Sequence, residues 1–234
     1  MEDQIILVDK PAGISSFGVV AKVRARLRDE FGHKIKVGHT GTLDPFATGL
    51  LILLTGKMTK KSSEFLKLDK VYEATLKLGY TSTTGDPEGQ IQQFSVEGLT
   101  EVTTEYEGAS PVTTGASDPS PKRKAVEFVL SSFIGKITQT PPRFSAIKIN
   151  GQRAYKLARQ GKDFEIPSRQ IEIYSINIIN YDYPELKIRV HCSSGTYIRT
   201  LAEDIGEKLG TGAYLTALRR TKIGDYDIIN AISL

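Results

Sequence analysis

A run of aliphatic residues at positions 50–55, LLILLT, constrains the fold more than any other feature of the sequence. Six residues between Gly49 and Gly56 are typical of a buried strand and are far too few for a membrane span. The run directly follows a loop rich in glycine and threonine, residues 38–49, which holds one carboxylate, Asp44, before a proline. A solvated turn requires only part of this arrangement, whereas a site that holds one aspartate near a substrate requires all of it.

Hydrophobic periodicity in the rest of the chain predicts both helices and strands. Residues 70–80 alternate between apolar and polar side chains, which predicts a half-buried strand. Further strands are predicted at 4–8 and, around NYDYPE, twice within 169–192; helices are predicted at about 17–30 with Ser15 or Ser16 as the cap, at 123–134, and after SSGTY at 193–197. This mixture predicts an α+β fold built on a mixed, largely antiparallel β-sheet flanked by helices.

The composition narrows the class of protein. The 234 residues suit a single domain with a sizeable core, and one cysteine, Cys192, excludes an internal disulfide framework. With only three histidines, a structural zinc site is not expected. The N-terminus, MEDQIILVDKPAG, lacks the basic and apolar regions of a signal peptide, so we expect a cytoplasmic protein with no membrane segment.

Residues 141–162 form a basic segment that contains no acidic residue. Its six cationic residues are interleaved with Phe144 and Tyr155; they are Arg143, Lys148, Arg153, Lys156, Arg159 and Lys162. Cations spaced by aromatic residues favour a nucleic-acid backbone, because each neutralised phosphate releases counterions. A solvated surface lobe accounts for the charges equally well.

Several common catalytic motifs are excluded by single residues. The stretch LTGKMTKK is not a phosphate-binding P-loop, because Leu51 replaces the first glycine and Met58 replaces the hydroxyl residue that holds magnesium. No serine lies in a G-x-S-x-G nucleophile motif. The three histidines, His33, His39 and His191, lack the spacing of metal ligands, so a metal site is not expected.

The carboxylate of Asp44 is the remaining candidate for a nucleophile or base. It has no basic neighbour within three residues, so any ion-pair partner must come from a distant part of the chain. Arg199 is one candidate, because it begins a predicted helix directly after a predicted strand. A plain turn aspartate and a surface arginine fit the same spacing, and spacing alone does not choose between these readings.

Six stretches taken together resemble the TruB family of tRNA pseudouridine synthases. They are VDKPAGISSFGVV (8–20), GHTGTLDPFATGLL (38–51), KVYEATLKLG (70–79) with TTGDPEG (83–89), QTPPRFSAIKINGQRAYKLARQG (139–161), CSSGTYIRTLAEDIG (192–206) and LRRTKIGDY (218–226). Their order and spacing fit the family over nearly the whole chain. The likeness is lost at 104–121, a stretch rich in Ser, Thr, Gly and Pro that we expect to be a flexible surface excursion.

The resemblance implies the pseudouridine synthase fold, with an RNA-gripping insertion lobe at about 139–163. It implies one catalytic domain over residues 1–234, without the small C-terminal PUA domain that bacterial relatives usually carry. The implied reaction isomerises uridine 55 in the T-arm loop of tRNA by flipping the base, cleaving its N-glycosidic bond and rejoining it through C5. No metal or cofactor is implied, and we expect a monomer that binds the T-arm stem-loop.

The resemblance also assigns roles to particular residues. Asp44 matches the invariant aspartate and performs covalent or general-base chemistry, and Arg199 matches the arginine that pairs with it. Tyr72 matches a tyrosine that stacks on the target base and serves proton transfer at C5, although without the family it reads as a core aromatic. Among the implied substrate-binding residues, His39 holds the flipped nucleotide, Tyr197 and Leu218 line the pocket, and Asp86 contacts RNA. Lys10, with Pro11, supports the Asp44 loop. The lobe residues implied to bind RNA are Arg143, Lys148, Arg153, Lys156 and Arg159.

Two other functions fit the same scaffold. A non-catalytic RNA-binding or RNA-folding factor would be expected to have lost part of the site, whereas Asp44, Tyr72 and Arg199 are all present. A guide-RNA-dependent synthase of archaea and eukaryotes would be expected to carry partner surfaces and an appended RNA-binding domain, whereas this chain ends at DYDIINAISL. A stand-alone tRNA enzyme is therefore the favoured reading.

Overall fold

The computed structural model describes residues 2–95 and 120–234 and divides into two compact units. The first unit comprises Met1–Glu73, Val190–Thr196 and Ala217–Leu234, and the second comprises Ala74–Arg189 and Tyr197–Thr216. The excursion predicted at 104–121 lies outside the described residues except for its last two positions. The single catalytic domain expected over 1–234 stays a prediction.

The chain forms fourteen described strands, five α-helices and two short 3₁₀ helices. The strands are β1 (Ile5–Lys10), β2 (Val37–His39), β3 (Thr48–Thr55), β4 (Lys70–Leu78), β5 (Tyr80–Ser82), β6 (Ile91–Gln93), β7 (Gly135–Gln139), β8 (Lys148–Ile149), β9 (Gln152–Arg153), β10 (Arg169–Asp182), β11 (Glu185–Cys192), β12 (Ala213–Ile223), β13 (Tyr226–Asp227) and β14 (Ile232–Ser233). The α-helices are α1 (Ser16–Phe31), α2 (Ser62–Leu66), α3 (Arg123–Ser131), α4 (Ala154–Arg159) and α5 (Ile198–Lys208), and the 3₁₀ helices are Gly56–Lys61 and Ile228–Asn230. Strands β4, β11 and β12 each contribute residues to both units.

The first unit is built on a mixed sheet, as the sequence predicts. Its strands follow the order β14, β1, β3, β12, with β2 added to β3 and β13 added to β12. Strand β1 is antiparallel to β3, whereas β12 runs parallel to β3 where Arg219 and Arg220 pair with Thr48 and Gly49. This mixed pairing, together with the flanking helices, confirms the predicted α+β class.

Strand β3 is the buried centre of the first unit and begins two residues before the aliphatic run. Every residue from Leu50 to Leu54 is at most 1% exposed. One face packs with Val19, Val20 and Val23 of α1, and the other packs with Phe65 and Ile223. A strand covered on both sides must be apolar at every position, which explains why the sequence shows a continuous run rather than alternation.

Helix α1 has the predicted location and cap. Ser15 lies in extended backbone and its Oγ accepts a hydrogen bond from the Gly18 amide at 3.0 Å, which satisfies one of the unpaired donors of the first turn. The helix ends at Phe31 because Gly32 adopts a left-handed conformation, with a φ of 74°.

The second unit contains the predicted hairpin of β10 and β11. Strand β10 continues to Asp182, so the turn is shorter than the NYDYPE segment suggests, and β7 adds to its other side in antiparallel register from Arg169↔Gln139 to Ile173↔Gly135. The strand predicted over 70–80 ends at Leu78, because Gly79 has a φ of 81°. The chain then forms the β5–β6 hairpin, whose loop carries Asp86.

Candidate active site

In the first unit, the loop that carries Asp44 is anchored on both sides of the aspartate. The buried Ser16 hydroxyl donates to the Leu43 carbonyl at 3.0 Å and accepts from the Leu43 amide at 2.8 Å. The Gly13 amide donates to the Pro45 carbonyl at 2.8 Å. Asp44 itself is partly exposed. The two neighbours of the carboxylate are therefore fixed, while the carboxylate can still be reached.

Lys10 supports the same loop from beneath. Its side chain is 0% exposed, and its ammonium donates to the carbonyls of Pro11 at 2.9 Å, Ile14 at 2.7 Å and Pro45 at 3.2 Å. Three acceptors match the three protons of an ammonium, which offsets the cost of burying the charge. Its position is that of the support implied by the resemblance, with Pro11 as one of the acceptors, and not that of a surface lysine that reaches RNA.

Arg220 joins the two ends of the loop and was not identified from the sequence. Its Nε donates to the Leu50 carbonyl at 2.8 Å, and its Nη2 donates to the Gly41 carbonyl at 3.2 Å. The sequence does contain a signal for a buried arginine at this position, the adjacent pair Arg219 and Arg220. Side chains alternate along a strand, so one of two adjacent arginines must face inward. The LRRTKIGDY stretch contributed only to the family resemblance.

Tyr72 lies on the buried face of β4 and is 8% exposed. Burial raises the pKa of the Tyr72 phenol above its usual range, and the negative charge of Asp44 adds a smaller increase. The positive charge of the Arg220 guanidinium opposes this pKa increase. Tyr72 is therefore a neutral phenol at physiological pH that feels the charges of both Asp44 and Arg220.

The other predicted residues of the first unit lie on the strands beside the loop. His39 is at the end of β2, partly exposed, and its Nδ1 accepts from the Gly41 amide at 3.4 Å. Leu218 is 7% exposed on β12, two residues before Arg220 and therefore on the same face of the strand. The structure thus brings His39 and Leu218 onto elements that also carry the Asp44 loop and its supports.

In the second unit, Arg199 is 4% exposed and holds three separate groups. Its Nη1 donates to the Thr84 carbonyl at 2.9 Å and lies 3.3 Å from the Asp86 carboxylate. Its Nη2 donates to the Phe144 carbonyl at 2.8 Å. Arg199 and Asp44 belong to different units, and their pairing stays a prediction.

Asp86 is buried and engaged by its own hairpin loop as well as by Arg199. It is 4% exposed, and its Oδ1 accepts from the Thr84 hydroxyl at 2.6 Å and from the Glu88 amide at 3.0 Å. The structure therefore places Asp86 inside a hydrogen-bonded turn rather than on an open surface. Contact between Asp86 and RNA stays a prediction.

Tyr197 is clamped by a glutamine that sequence reasoning missed. Gln139 is 2% exposed; its Nε2 donates to the Tyr197 carbonyl at 3.0 Å and its Oε1 accepts from the Tyr197 amide at 2.8 Å. The Arg169 guanidinium lies 4.9 Å from the centre of the Tyr197 ring. A glutamine before two prolines carries no local signal for such a clamp.

The basic segment at 141–162 contains β8, β9 and α4, and all six of its cationic residues are exposed. Arg143 lies 3.2 Å from the exposed Asp163 carboxylate and 5.1 Å from the Phe164 ring. Arg153 donates to the Ala146 carbonyl, and Arg159 lies 5.8 Å from the Tyr155 ring. Exposed cations are compatible both with phosphate binding and with a solvated surface.

Among residues 2–95 and 120–234, no group of three or more His, Cys, Asp or Glu side chains could hold a metal ion. Within the same ranges, no helix is long and apolar enough to cross a membrane.

The fold matches solved structures of pseudouridine synthases. The chain superposes on a chain of a Cbf5–Nop10–Gar1 complex with a TM-score of 0.66 and 26% identity, over 100% of this chain and 52% of that one. A structure of an H/ACA RNP bound to a substrate RNA containing 2′-deoxyuridine shares the fold, with a TM-score of 0.64 and 23% identity. This chain spans about half the length of each of these matched chains. The mixed sheet therefore has the pseudouridine synthase fold.

Sequence comparison gives the family. The TruB family pseudouridylate synthase N-terminal domain matches residues 28–110 and 96–198, and the tRNA pseudouridylate synthase B C-terminal domain matches 199–234. A tRNA pseudouridine synthase B from Phocaeicola vulgatus is 44% identical over 100% of this chain and 91% of its own length. One from Flavobacterium johnsoniae is 43% identical over 100% of this chain and 94% of its own length. The chain belongs to the TruB family of pseudouridylate synthases, which confirms the resemblance found in its motifs.

Proposed function

We propose that this pseudouridine synthase isomerises a uridine in the T-arm loop of tRNA, at position 55. The observation that carries the proposal is the anchored loop that presents Asp44 where its charge raises the pKa of the buried Tyr72 phenol. The relatives named tRNA pseudouridine synthase B, which match the chain over its full length, support tRNA as the substrate. We further propose that the enzyme acts in the cytoplasm as a monomer, without a metal or cofactor.

The reaction is an isomerisation, so its atoms balance within the nucleotide. The bond between N1 of uracil and C1′ of ribose breaks, a bond between C5 and C1′ forms, and the hydrogen on C5 is replaced by one on N1. Asp44 acts as nucleophile or general base in the first step. Because the target base lies in a folded loop, it must first be extruded, at a cost of a few kcal/mol.

Tyr72 has two uses in this scheme. Its ring gives a flat apolar surface on which the extruded uracil stacks. Its phenol holds its proton strongly, because burial and the Asp44 charge raise its pKa. Tyr72 can therefore accept the C5 proton only if a nearby cation stabilises the phenolate, and Arg220 is the cation whose charge lowers the pKa of Tyr72.

The remaining predicted residues bind the substrate. Arg199 pairs with Asp44 and keeps it ionised. His39 holds the extruded nucleotide, while Tyr197 and Leu218 line the uracil pocket. The exposed cations of the 141–162 segment contact T-arm phosphates, which fix the position of the RNA but carry little sequence information.

The proposal is tested by mapping pseudouridine in an unmodified tRNA transcript after incubation with the protein. Carbodiimide derivatisation followed by primer extension should give one new stop, at the T-arm uridine. Asp44→Asn is the matched control, because the amide keeps the shape of the side chain but loses its nucleophilicity and basicity. A stop of equal strength with Asp44→Asn, or no stop with the wild-type protein, contradicts the proposal.

A further inference from the structure

Arg220 is the largest side chain that is almost fully buried among the described residues, at 2% exposure. Arginine is almost never buried to this degree unless it is paired, because removing a charge from water is costly. Replacing a buried charged group by a well-packed apolar side chain of similar volume often leaves the stability of a protein unchanged or increases it. The burial of this guanidinium therefore calls for an explanation beyond the filling of space.

The contacts of Arg220 connect parts of the site that are distant in sequence. Its guanidinium donates to the carbonyls of Gly41 and Leu50, one on each side of Asp44, at 3.2 and 2.8 Å. Strand β12, which carries Arg220, borders β4, which carries Tyr72: the Thr221 hydroxyl donates to the Val71 carbonyl at 3.3 Å. One rigid, planar cation thus ties both ends of the Asp44 loop to the strand beside Tyr72.

Strand pairing explains why this arginine, and not its neighbour, takes that position. Arg220 pairs with Gly49 in the parallel β3–β12 ladder, and a Cβ at Gly49 would lie 2.3 Å from the Arg220 carbonyl oxygen. Only glycine allows the two strands to approach so closely with its φ of 105°. Arg219 faces the other side of β12, where it is 40% exposed and lies 2.7 Å from the Asp9 carboxylate.

We propose that Arg220 is a positioning residue for the isomerisation, which fixes the Asp44 loop relative to Tyr72. Its positive charge also favours the Tyr72 phenolate that proton transfer at C5 requires. Lysine keeps the charge but lacks the planar fork that reaches several acceptors at once. The inference rests on the proposed function, so the wild-type reaction is its positive control.

The kinetic test compares Arg220→Lys with Arg219→Lys, a change of the same chemistry one residue away on the opposite face of the strand. We expect the single-turnover rate of Arg220→Lys to fall about 100-fold, the loss that a displacement of about 1 Å in a catalytic group can cause. The Kd of Arg220→Lys for a T-arm stem-loop should stay within about twofold of wild type. For Arg219→Lys, both the single-turnover rate and this Kd should stay within about twofold of wild type.

A spectroscopic test separates positioning from simple packing. In protein labelled with ¹³C at the tyrosine Cζ, the Tyr72 signal is assigned from its loss in Tyr72→Phe. Because the Arg220 charge lowers the pKa of Tyr72, the phenol should titrate at higher pH in Arg220→Met than in wild type. An unchanged Tyr72 titration in the folded Arg220→Met variant overturns the proposed effect of the Arg220 charge on Tyr72.

Thermal unfolding shows whether the Arg220 variants fold. If neither variant folds, the test uses Asp44→Asn protein labelled with ¹⁵N-arginine. Its Arg220 Nε–H signal should shift when the T-arm stem-loop binds. An unchanged signal overturns the inference. Equal turnover by Arg220→Lys and Arg219→Lys, or weaker RNA binding with an unchanged single-turnover rate, also overturns it. An inactive wild-type protein would instead contradict the proposed function.

Discussion

The guanidinium of Arg199 lies 3.3 Å from the carboxylate of Asp86, and each side chain is 5% exposed. The same guanidinium donates to the Thr84 and Phe144 carbonyls. It therefore joins the start of α5 to the β5–β6 hairpin loop and to the basic segment at 141–162. If Arg199 also pairs with Asp44, the position of the nucleophile depends on a network inside the second unit. Substitutions at Asp86, Arg199 and Glu203 can test how much this network contributes to the stability and the activity of the enzyme.

Asp86→Asn should destabilise the protein by about 3–5 kcal/mol, because it removes the negative charge that lies 3.3 Å from a buried guanidinium. Glu127→Gln is the matched control. It breaks the exposed Arg123–Glu127 pair, in which the side chains are 59% and 51% exposed, and should cost less than about 0.5 kcal/mol. Urea unfolding measures both changes. Equal midpoints for the two variants would show that the Arg199–Asp86 pair contributes no more than a surface pair.

Arg199→Lys should lose most of its turnover, since a lysine cannot reach the Thr84 and Phe144 carbonyls and a carboxylate at the same time. The loss should appear in the single-turnover rate rather than in RNA affinity. A variant that folds and turns over at the wild-type rate would remove the support for the proposed Asp44–Arg199 pairing.

Gln139→Leu should destabilise the protein by about 1–3 kcal/mol, because the Tyr197 amide loses its acceptor and the Tyr197 carbonyl keeps only the Leu201 amide as a donor. Gln170→Leu, at an exposed position of β10, is the control and should change stability by less than about 0.5 kcal/mol. Hydrogen exchange gives the local readout, because the Tyr197 amide should lose protection in Gln139→Leu alone. Unchanged protection would show that the clamp is not maintained in solution.

The elements that the sequence predicts are those with strong local patterns. The continuous run at 50–55 and the cap of α1 each depend on neighbouring residues, and both were confirmed. The helix predicted over 123–134 ends at Ser131, a boundary error of the kind expected where no glycine or proline marks the end.

The candidate site is less accessible to local reasoning. Asp44, Tyr72 and Arg199 were selected by family resemblance, since spacing left each of them with an ordinary structural reading. Arg220 and Gln139 were missed because the partners they hold lie 179 and 58 residues away in the chain. Contacts of this kind arise from strand order, which periodicity does not encode.

Glu203 should make stability depend on pH in an unusual direction. Burial raises its pKa to about 7, with Arg199 opposing the shift and Asp204 and Asp86 adding to it. Its carboxylate packs on the loop at Gly85, where a Cβ would lie 2.5 Å from Oε1. Between about pH 4.5 and 7 the folded state keeps a proton that the unfolded state has lost, so stability falls as the pH rises through this window and then levels off.

Glu203→Gln should reduce this slope and leave only the part due to Asp204, whose pKa burial raises to about 6. The variant should be more stable than wild type above pH 7, by about 1–2 kcal/mol after allowance for the partial exposure of the Glu203 side chain. Glu165→Gln, an exposed position, is the control and should retain the wild-type slope. Urea unfolding at pH 5, 6, 7 and 8 measures the three proteins. Parallel curves for wild type and Glu203→Gln would show that Glu203 does not hold a proton in the fold.

The last prediction decides between the two readings of the basic segment at 141–162. If its exposed cations neutralise phosphates, replacing Arg153, Lys156 and Arg159 together by Ala should raise KM for a T-arm stem-loop and change kcat far less. The slope of log Kd against log salt should fall by about 2–3, since each phosphate contact contributes about 0.7–0.9.

A charge-matched control separates local contacts from net charge. The triple variant Lys122, Arg123 and Lys124→Ala removes three exposed cations at the start of α3, outside the basic segment. A long-range attraction of the RNA to net positive charge would weaken binding equally in both triple variants, whereas direct phosphate contact by the segment weakens it in one. Circular dichroism shows that each variant is folded. Equal salt slopes for wild type and the segment variant would assign these cations to a solvated surface, and T-arm affinity would then have to come from residues outside the segment, such as those of the uracil pocket.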